Sequence, residues 1–142
     1  MEWKKLEIGV FLVNVLAIIY NRKTKKILIG RRQNDPYLKK LTWCFPGGMP
    51  GYGEDLEFYL KEQIKLKTGL DVIVQKIIFA KTYPEKREFL SIYYYCEPIG
   101  GKEKPGELFV ELEWVKPREV IDYFKISTSI HPKLVKYLKS LA

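Results

Sequence analysis

Residues 46–69 constrain this chain more than any other stretch. Pro46-Gly47-Gly48 stops an apolar segment, and Met49 to Gly53 is too rich in glycine and proline for regular structure. Glu54 to Thr68 then carries helical period. At about 100° per residue Leu56, Leu60 and Ile64 fall in one quadrant, with Tyr59 and Leu66 beside them. Glu54 and Asp55 suit the positive end of a helix dipole, and Gly69 suits a left-handed cap. The unit is a sharp loop, an amphipathic helix and a glycine stop.

Strand-like segments flank it on both sides. Val10 to Tyr20 is nearly continuous apolar and β-branched sequence, and Lys26 to Gly30 is a second apolar run after the polar turn Asn21-Arg-Lys-Thr-Lys, so the two read as an antiparallel hairpin. Leu41 to Phe45 is a short strand, and Val72 to Tyr83 and Phe89 to Glu97 are two long ones separated by the turn-like residues 84–88. Pro98 to Gly106 reads as a loop. Glu111 to Val115 is a further strand, followed by a short helix near Pro117 to Tyr123 and a last helix from Pro132 to Leu138. Strands and helices mix without a regular βαβ repeat, which predicts an α+β fold, a mixed sheet carrying helices on its faces.

With 142 residues, 46% of them hydrophobic, the chain is the size of one domain, 1–142, and needs no disulfide to build its core. Cys44 and Cys96 are too few and too far apart for a zinc site or a disulfide framework, so they are expected as buried thiols. No apolar run approaches the roughly 20 residues that span a bilayer, and the first residues lack the pattern of a signal peptide. A cytoplasmic location and no membrane partner are expected. The net charge of +8 admits nucleic acid, an anionic small ligand or a lysine-rich solvated surface. The lysines are scattered, which favours the last two.

The 46–70 stretch resembles the Nudix box. Gly48, Glu54, Ile64, Gly69 and Leu70 match its frame, while Glu62 stands for its arginine, Gln63 for its first metal-binding glutamate, and Leu66-Lys67 for its glutamate pair. The resemblance implies an α/β/α sandwich with the box as a loop-helix-loop. In that family, carboxylates at the positions of Gln63, Leu66 and Lys67 lie one turn apart and gather oxygen ligands for hard divalent cations. Here those positions change from a formal −3 to +1. The conventional metal cluster is therefore not expected, Glu54 being at most a remaining ligand, and Mg²⁺ or Mn²⁺ would enter through a substrate diphosphate. Lys67 can place its ammonium where a metal would sit and pair with that diphosphate, or it can be a snorkelling lysine in the last helical turn. Gln63 is either a ligand contact or a neutral filler.

A second resemblance lies outside the box. Gly30-Arg-Arg-Gln-Asn-Asp-Pro36 and Trp43-Cys-Phe-Pro-Gly-Gly48 look like the matching segments of GDP-mannose mannosyl hydrolases, a Nudix branch with a modified box. The resemblance implies that Arg32 contacts the diphosphate, that Gly47 and Gly48 line the substrate site, and that His131 is a general base for attack at the anomeric carbon. The alternatives are a solvated strand-end arginine and a surface histidine at the start of a helix. Met49 and Lys67 depart from that branch's pattern.

Two function classes follow. One is a Nudix-type hydrolase of a nucleoside-diphosphate-linked small molecule, such as the nucleotide sugar GDP-mannose, with Arg32 and His131 as its catalytic residues and altered cation use. The other is a binding or regulatory module that keeps the pocket and has lost turnover. Nucleic-acid binding is a third, disfavoured because Tyr93 and Tyr95 should face one side of a strand and Tyr94 the other, as core residues do. The oligomeric state is open, a dimer included.

Overall fold

The computed structural model describes residues 8–33, 43–84, 86–124 and 131–141. In chain order its elements are β1 (Leu12–Asn21), β2 (Lys26–Arg32), β3 (Trp43–Cys44), β4 (Gly47–Gly48), α1 (Leu56–Thr68), β5 (Leu70–Tyr83), β6 (Lys86–Gly101), β7 (Phe109–Val115), α2 (Pro117–Phe124) and α3 (Pro132–Leu141). The strands run in the order β3-β2-β1-β6-β5, with β7 on β2 and β4 on β1. Pairing is mixed, because β1 and β6 are parallel over Leu12–Ile19 while the other ladders are antiparallel.

Alternation along the strands sorts the core into two layers. Ile18, Tyr20, Ile27, Ile29, Tyr93 and Tyr95 face α2 and α3, which contribute Val120, Phe124, Leu134 and Leu138. Val15, Ala17, Ile19, Leu28, Tyr94 and Cys96 face α1, which contributes Leu60 and Ile64. The α/β/α sandwich expected from the sequence is what forms. Burial of all three tyrosines also removes the Tyr93–Tyr95 run as a stacking platform for nucleic acid.

One feature of the sheet opens the site. β1 pairs with β2 only at Tyr20↔Ile27 and Asn21↔Lys26, so the two strands part early. β4 enters beside the earlier part of β1, matching Leu16 with Gly47 and Val15 with Gly48, and the Ala17 N–H donates to the Pro46 carbonyl. Gly47 is needed for this approach, since a Cβ there would run into the Val15 carbonyl oxygen.

Two expectations are corrected. The residues expected as a loop from Pro98 are strand as far as Gly101, because β6 continues to pair with Leu70, Asp71 and Val72 of β5. Pro98 lies beyond Cys96, the partner of β5 nearest the end of the β1 ladder, and beside a register shift in β5, where a missing N–H costs little. Leu66 does not join the apolar face of α1; it is 51% exposed. Asp55 caps α1, accepting a hydrogen bond from the Phe58 N–H at 2.9 Å. Residues 34–36 of the second resemblance, and residues 41–42 of the expected third strand, lie outside the described residues.

Candidate functional site

The C-terminal end of α1 is locked in place before it presents any chemistry. Thr68, fully buried, donates from Oγ1 to the Ile64 carbonyl at 2.7 Å and accepts from the Leu70 N–H. Gly69 adopts φ 77°, the left-handed cap expected of it, and returns its N–H to the Lys65 carbonyl. A side chain there would strike the Lys102 carbonyl oxygen. Residues 104–106 finish the job, with the Lys104 N–H on the Thr68 carbonyl and the Gly106 N–H on the Lys67 carbonyl.

From this fixed end Lys67 turns inward. Its ammonium donates to the Gly47 carbonyl of β4, bridging the helix to the strand that opens the sheet. Burial lowers its pKa from the ordinary lysine value, and the nearby positive charge of Arg32 lowers it further, against smaller opposing effects of Cys44 and Glu107. The simple snorkelling alternative therefore does not describe Lys67. It is half-buried and held by backbone.

Arg32 ends β2 just past a register shift, opposite Phe109 of β7. Gly30 two residues earlier makes room for the Phe109 ring, which a Cβ would meet at 2.5 Å. Its neighbour Arg31 is committed elsewhere, in a cross-strand pair with Glu111 at 2.9 Å. Two cations, Arg32 and Lys67, thus share the mouth between β2, β4 and α1. Their like charges repel, which is the second cause of the lowered Lys67 pKa. An anion placed between them reverses the sign of the interaction.

The other expected residues are less concentrated. Gly48 lies under Tyr59, whose hydroxyl would be 2.5 Å from a Cβ and donates instead to the Met49 carbonyl at 3.0 Å. The Tyr59 pKa is raised by burial and then by the Glu54 carboxylate, so Glu54 faces the loop that Tyr59 organises. Gln63 is half-buried and Glu62 exposed. Among the described residues, no group of three or more His, Cys, Asp or Glu side chains is arranged to hold a metal ion.

His131 stands on the opposite layer, immediately before α3. Its Nδ1 accepts the Lys133 N–H at 3.1 Å. That bond places the proton of the neutral ring on Nε2, so the ring offers a donor to its surroundings. Its pKa is lowered, by desolvation first and then by Lys81 and Lys133. The cations that lower its pKa are thus lysines of its own surroundings, whereas the one that lowers the Lys67 pKa is Arg32.

Sequence reasoning missed Tyr59, Cys44 and Glu107. Tyr59 had a signal, since its place on α1 near the apolar quadrant brings it close to the glycine loop. Glu107 had little. Its φ of 53° is unusual for a residue with a side chain, and it follows Gly106 in a segment that sequence alone does not attach to α1. Cys44, half-buried, is not bridged to the buried Cys96, whose thiol is pushed up to about 12 by burial.

The model of the NUDIX domain matches residues 10–138, and the chain belongs to that family. An ADP-ribose pyrophosphatase of Methanocaldococcus jannaschii is 31% identical over 111 residues, covering 73% of this chain and 64% of that protein. The nucleoside triphosphatase NudI of Escherichia coli is 29% identical over 93 residues, covering 57% of this chain and 66% of its own. The chain thus spans slightly under two thirds of these curated relatives. Among solved structures, a MutT protein from Methanosarcina mazei superposes with a TM-score of 0.72 at 16% identity, over 94% of both chains, which is a likeness of fold.

Proposed function

We propose that this protein is a Nudix-type hydrolase of a nucleoside diphosphate linked to a second group, in which Arg32 and Lys67 hold the diphosphate. The observation that carries the reading is the Lys67 ammonium, tied to the Gly47 carbonyl and sharing the site mouth with Arg32, at a position where the family's box has a glutamate. Arg32 supplies a flat, permanently charged fork suited to two phosphate oxygens, and Lys67 a compact point charge. Gly47 and Gly48 keep the strand beside them free of side chains, and Gln63 adds a neutral amide on the same helix. Divalent cations enter this reading only as partners of the substrate's own phosphates.

ADP-ribose is the first substrate to try, because the relative that is 31% identical is named for it. A nucleotide sugar such as GDP-mannose belongs to the same chemical class. The two differ in what His131 must do. Attack at the anomeric carbon needs a base beside the sugar, whereas His131 has its Nδ1 lone pair taken by backbone and stands with Lys81. We therefore favour attack at phosphorus. We also read 1–142 as one domain working in a reducing, cytoplasmic setting, supported by the unbridged cysteines. Among the described residues no helix is long and apolar enough to cross a membrane.

A second reading, a nucleotide-binding module without turnover, is favoured by the absence of a ligand cluster on α1 among the described residues. One experiment separates the two. Turnover of ADP-ribose, GDP-mannose, dinucleotides and nucleoside triphosphates is followed with Mg²⁺, with Mn²⁺ and with chelator, beside calorimetric binding of each. Hydrolysis of a diphosphate-linked compound to two monophosphates supports the first reading, and saturable binding with no product in any condition supports the second.

A further inference from the structure

The outer side of α1 carries a second basic feature that the Nudix reading does not use. A groove of about 510 Å³ is lined by Lys65, Leu66, Gly69, Lys102, Lys104, Pro105 and Gly106. That volume lies in the range of small-molecule sites. The groove is open to solvent, and the half-exposed Leu66 forms part of its lining.

Three features make this groove positive by construction. Lys102 and Lys104 alternate with Glu103, and Glu103 is drawn off by the Trp114 indole, which donates to its carboxylate at 2.6 Å. The segment therefore presents its cations to the groove. The carbonyl end of α1, ordinarily a negative pole, is consumed by the segment's own N–H groups at Lys104 and Gly106 and by Gly69. Lys65 adds a third ammonium, and its contact with the Asp71 carboxylate at 3.1 Å is exposed and of modest strength.

The groove is also preformed. Its walls meet through backbone hydrogen bonds at Lys104 and Gly106 and through the left-handed glycines Gly69 and Gly101, with φ 77° and 88°. A Cβ at Gly106 would collide with the Leu66 carbonyl oxygen, so helix and segment are in direct backbone contact. A ligand entering here meets fixed backbone and orders only lysine side chains.

We propose that this groove is a second, non-catalytic anion site for a small molecule bearing two or more phosphate charges. Three separated ammonium groups match a ligand whose charge is spread over several oxygens better than a single carboxylate. The site shares a wall with the one inside, since the residues after Lys104 reach the Lys67 carbonyl and then Glu107.

The test is a titration of pyrophosphate into the isotope-labelled full chain at low salt, read by amide chemical shifts. Saturable shifts at Gly69 and at residues 101–106 are expected, in a set distinct from those at Gly47 and Gly48. The double variant Lys102→Glu, Lys104→Glu should weaken the outer response at least about tenfold and leave the inner one in place. Lys67→Met should do the reverse. Since Lys102 and Lys104 are exposed, the double variant should stay folded, and the spread of the amide spectrum reports the fold of each variant. The uncharged pair Lys102→Gln, Lys104→Gln should fall between wild type and the double reversal. Absence of saturable shifts at 101–106, or shifts that survive the double reversal, would overturn the proposal. So would a short single-stranded RNA that occupies the groove more tightly than pyrophosphate, because the partner would then be nucleic acid.

Discussion

Lys67 and His131 lie on opposite helical layers of one sheet, and their surroundings differ in what holds each side chain. Lys67 belongs to a 13-residue helix whose buried residues Leu60, Ile64 and Thr68 form a single stripe at intervals of four. Its direction is set by that stripe, by the Gly69 cap and by the carbonyl of Gly47. His131 precedes a ten-residue helix anchored by Leu134 and Leu138, and its ring accepts the Lys133 N–H from local backbone two residues away. The first position is fixed by contacts distant in sequence. The second is fixed by its neighbours, which is what an ordinary helix start requires.

The largest effect should come from breaking the frame that aims Lys67. In Gly47→Ala the new Cβ would meet the Val15 carbonyl, a backbone atom that cannot move without disturbing the β1 ladder. Overpacking of this kind should cost about 3 kcal/mol, read as a lowered denaturation midpoint. Gly69→Ala adds a left-handed conformation worth about 1–2 kcal/mol to a clash with Lys102. A Gly47→Ala protein of wild-type stability would show that β4 does not hold the site open.

Removing the charge should act on ligand and not on fold. Lys67→Met keeps the stem of the side chain and deletes a partly buried ammonium whose pKa is already lowered. Calorimetry with ADP should show affinity reduced by about ten- to a hundredfold, in line with a charge-assisted contact of roughly 1.5–3 kcal/mol, and a denaturation midpoint close to wild type. Unchanged affinity would reduce Lys67 to a tie between α1 and β4.

These two experiments also mark what could be read from sequence. The helix, its glycine stop and the two-layer core were legible because period, cap and alternation are local properties, visible at Leu56, Leu60, Ile64 and Gly69. Sequence did not show that Lys67 turns inward to Gly47, since that depends on β1 and β2 parting after a short ladder. Nor did it show that Leu66, its neighbour, faces outward beside Lys102 and Lys104, which requires knowing that β6 extends to Gly101 and folds the next segment back on α1.

A smaller, graded effect should appear with pH. Burial and Arg32 lower the Lys67 pKa below the ordinary 10.5, so between the two values the unfolded chain holds a proton that the folded chain has released. Stability attributable to this group should therefore rise with pH across that window. Diphosphate binding should run the other way, weakening as the ammonium is lost and taking up protons when it occurs. Lys67→Arg, whose guanidinium stays charged, should flatten the binding profile. Equal slopes in wild type and variant would assign the pH dependence to another group.

The smallest effect is expected at His131, and it is the one that most sharpens the contrast. A general base contributes about 10²–10⁴ to a rate, and it needs a lone pair directed at the attacking water. His131 uses its Nδ1 lone pair on the Lys133 N–H, carries its proton on Nε2, and is kept neutral by desolvation, Lys81 and Lys133. With ADP-ribose or whichever diphosphate-linked substrate is turned over, His131→Gln should change kcat by less than about threefold, and the products should be two monophosphates. A loss of the size expected for a base, accompanied by a free sugar and an intact nucleoside diphosphate, would instead bring His131 to the reacting carbon, requiring α3 to approach the substrate from the layer opposite Lys67 and the histidine to exchange its backbone contact for a water.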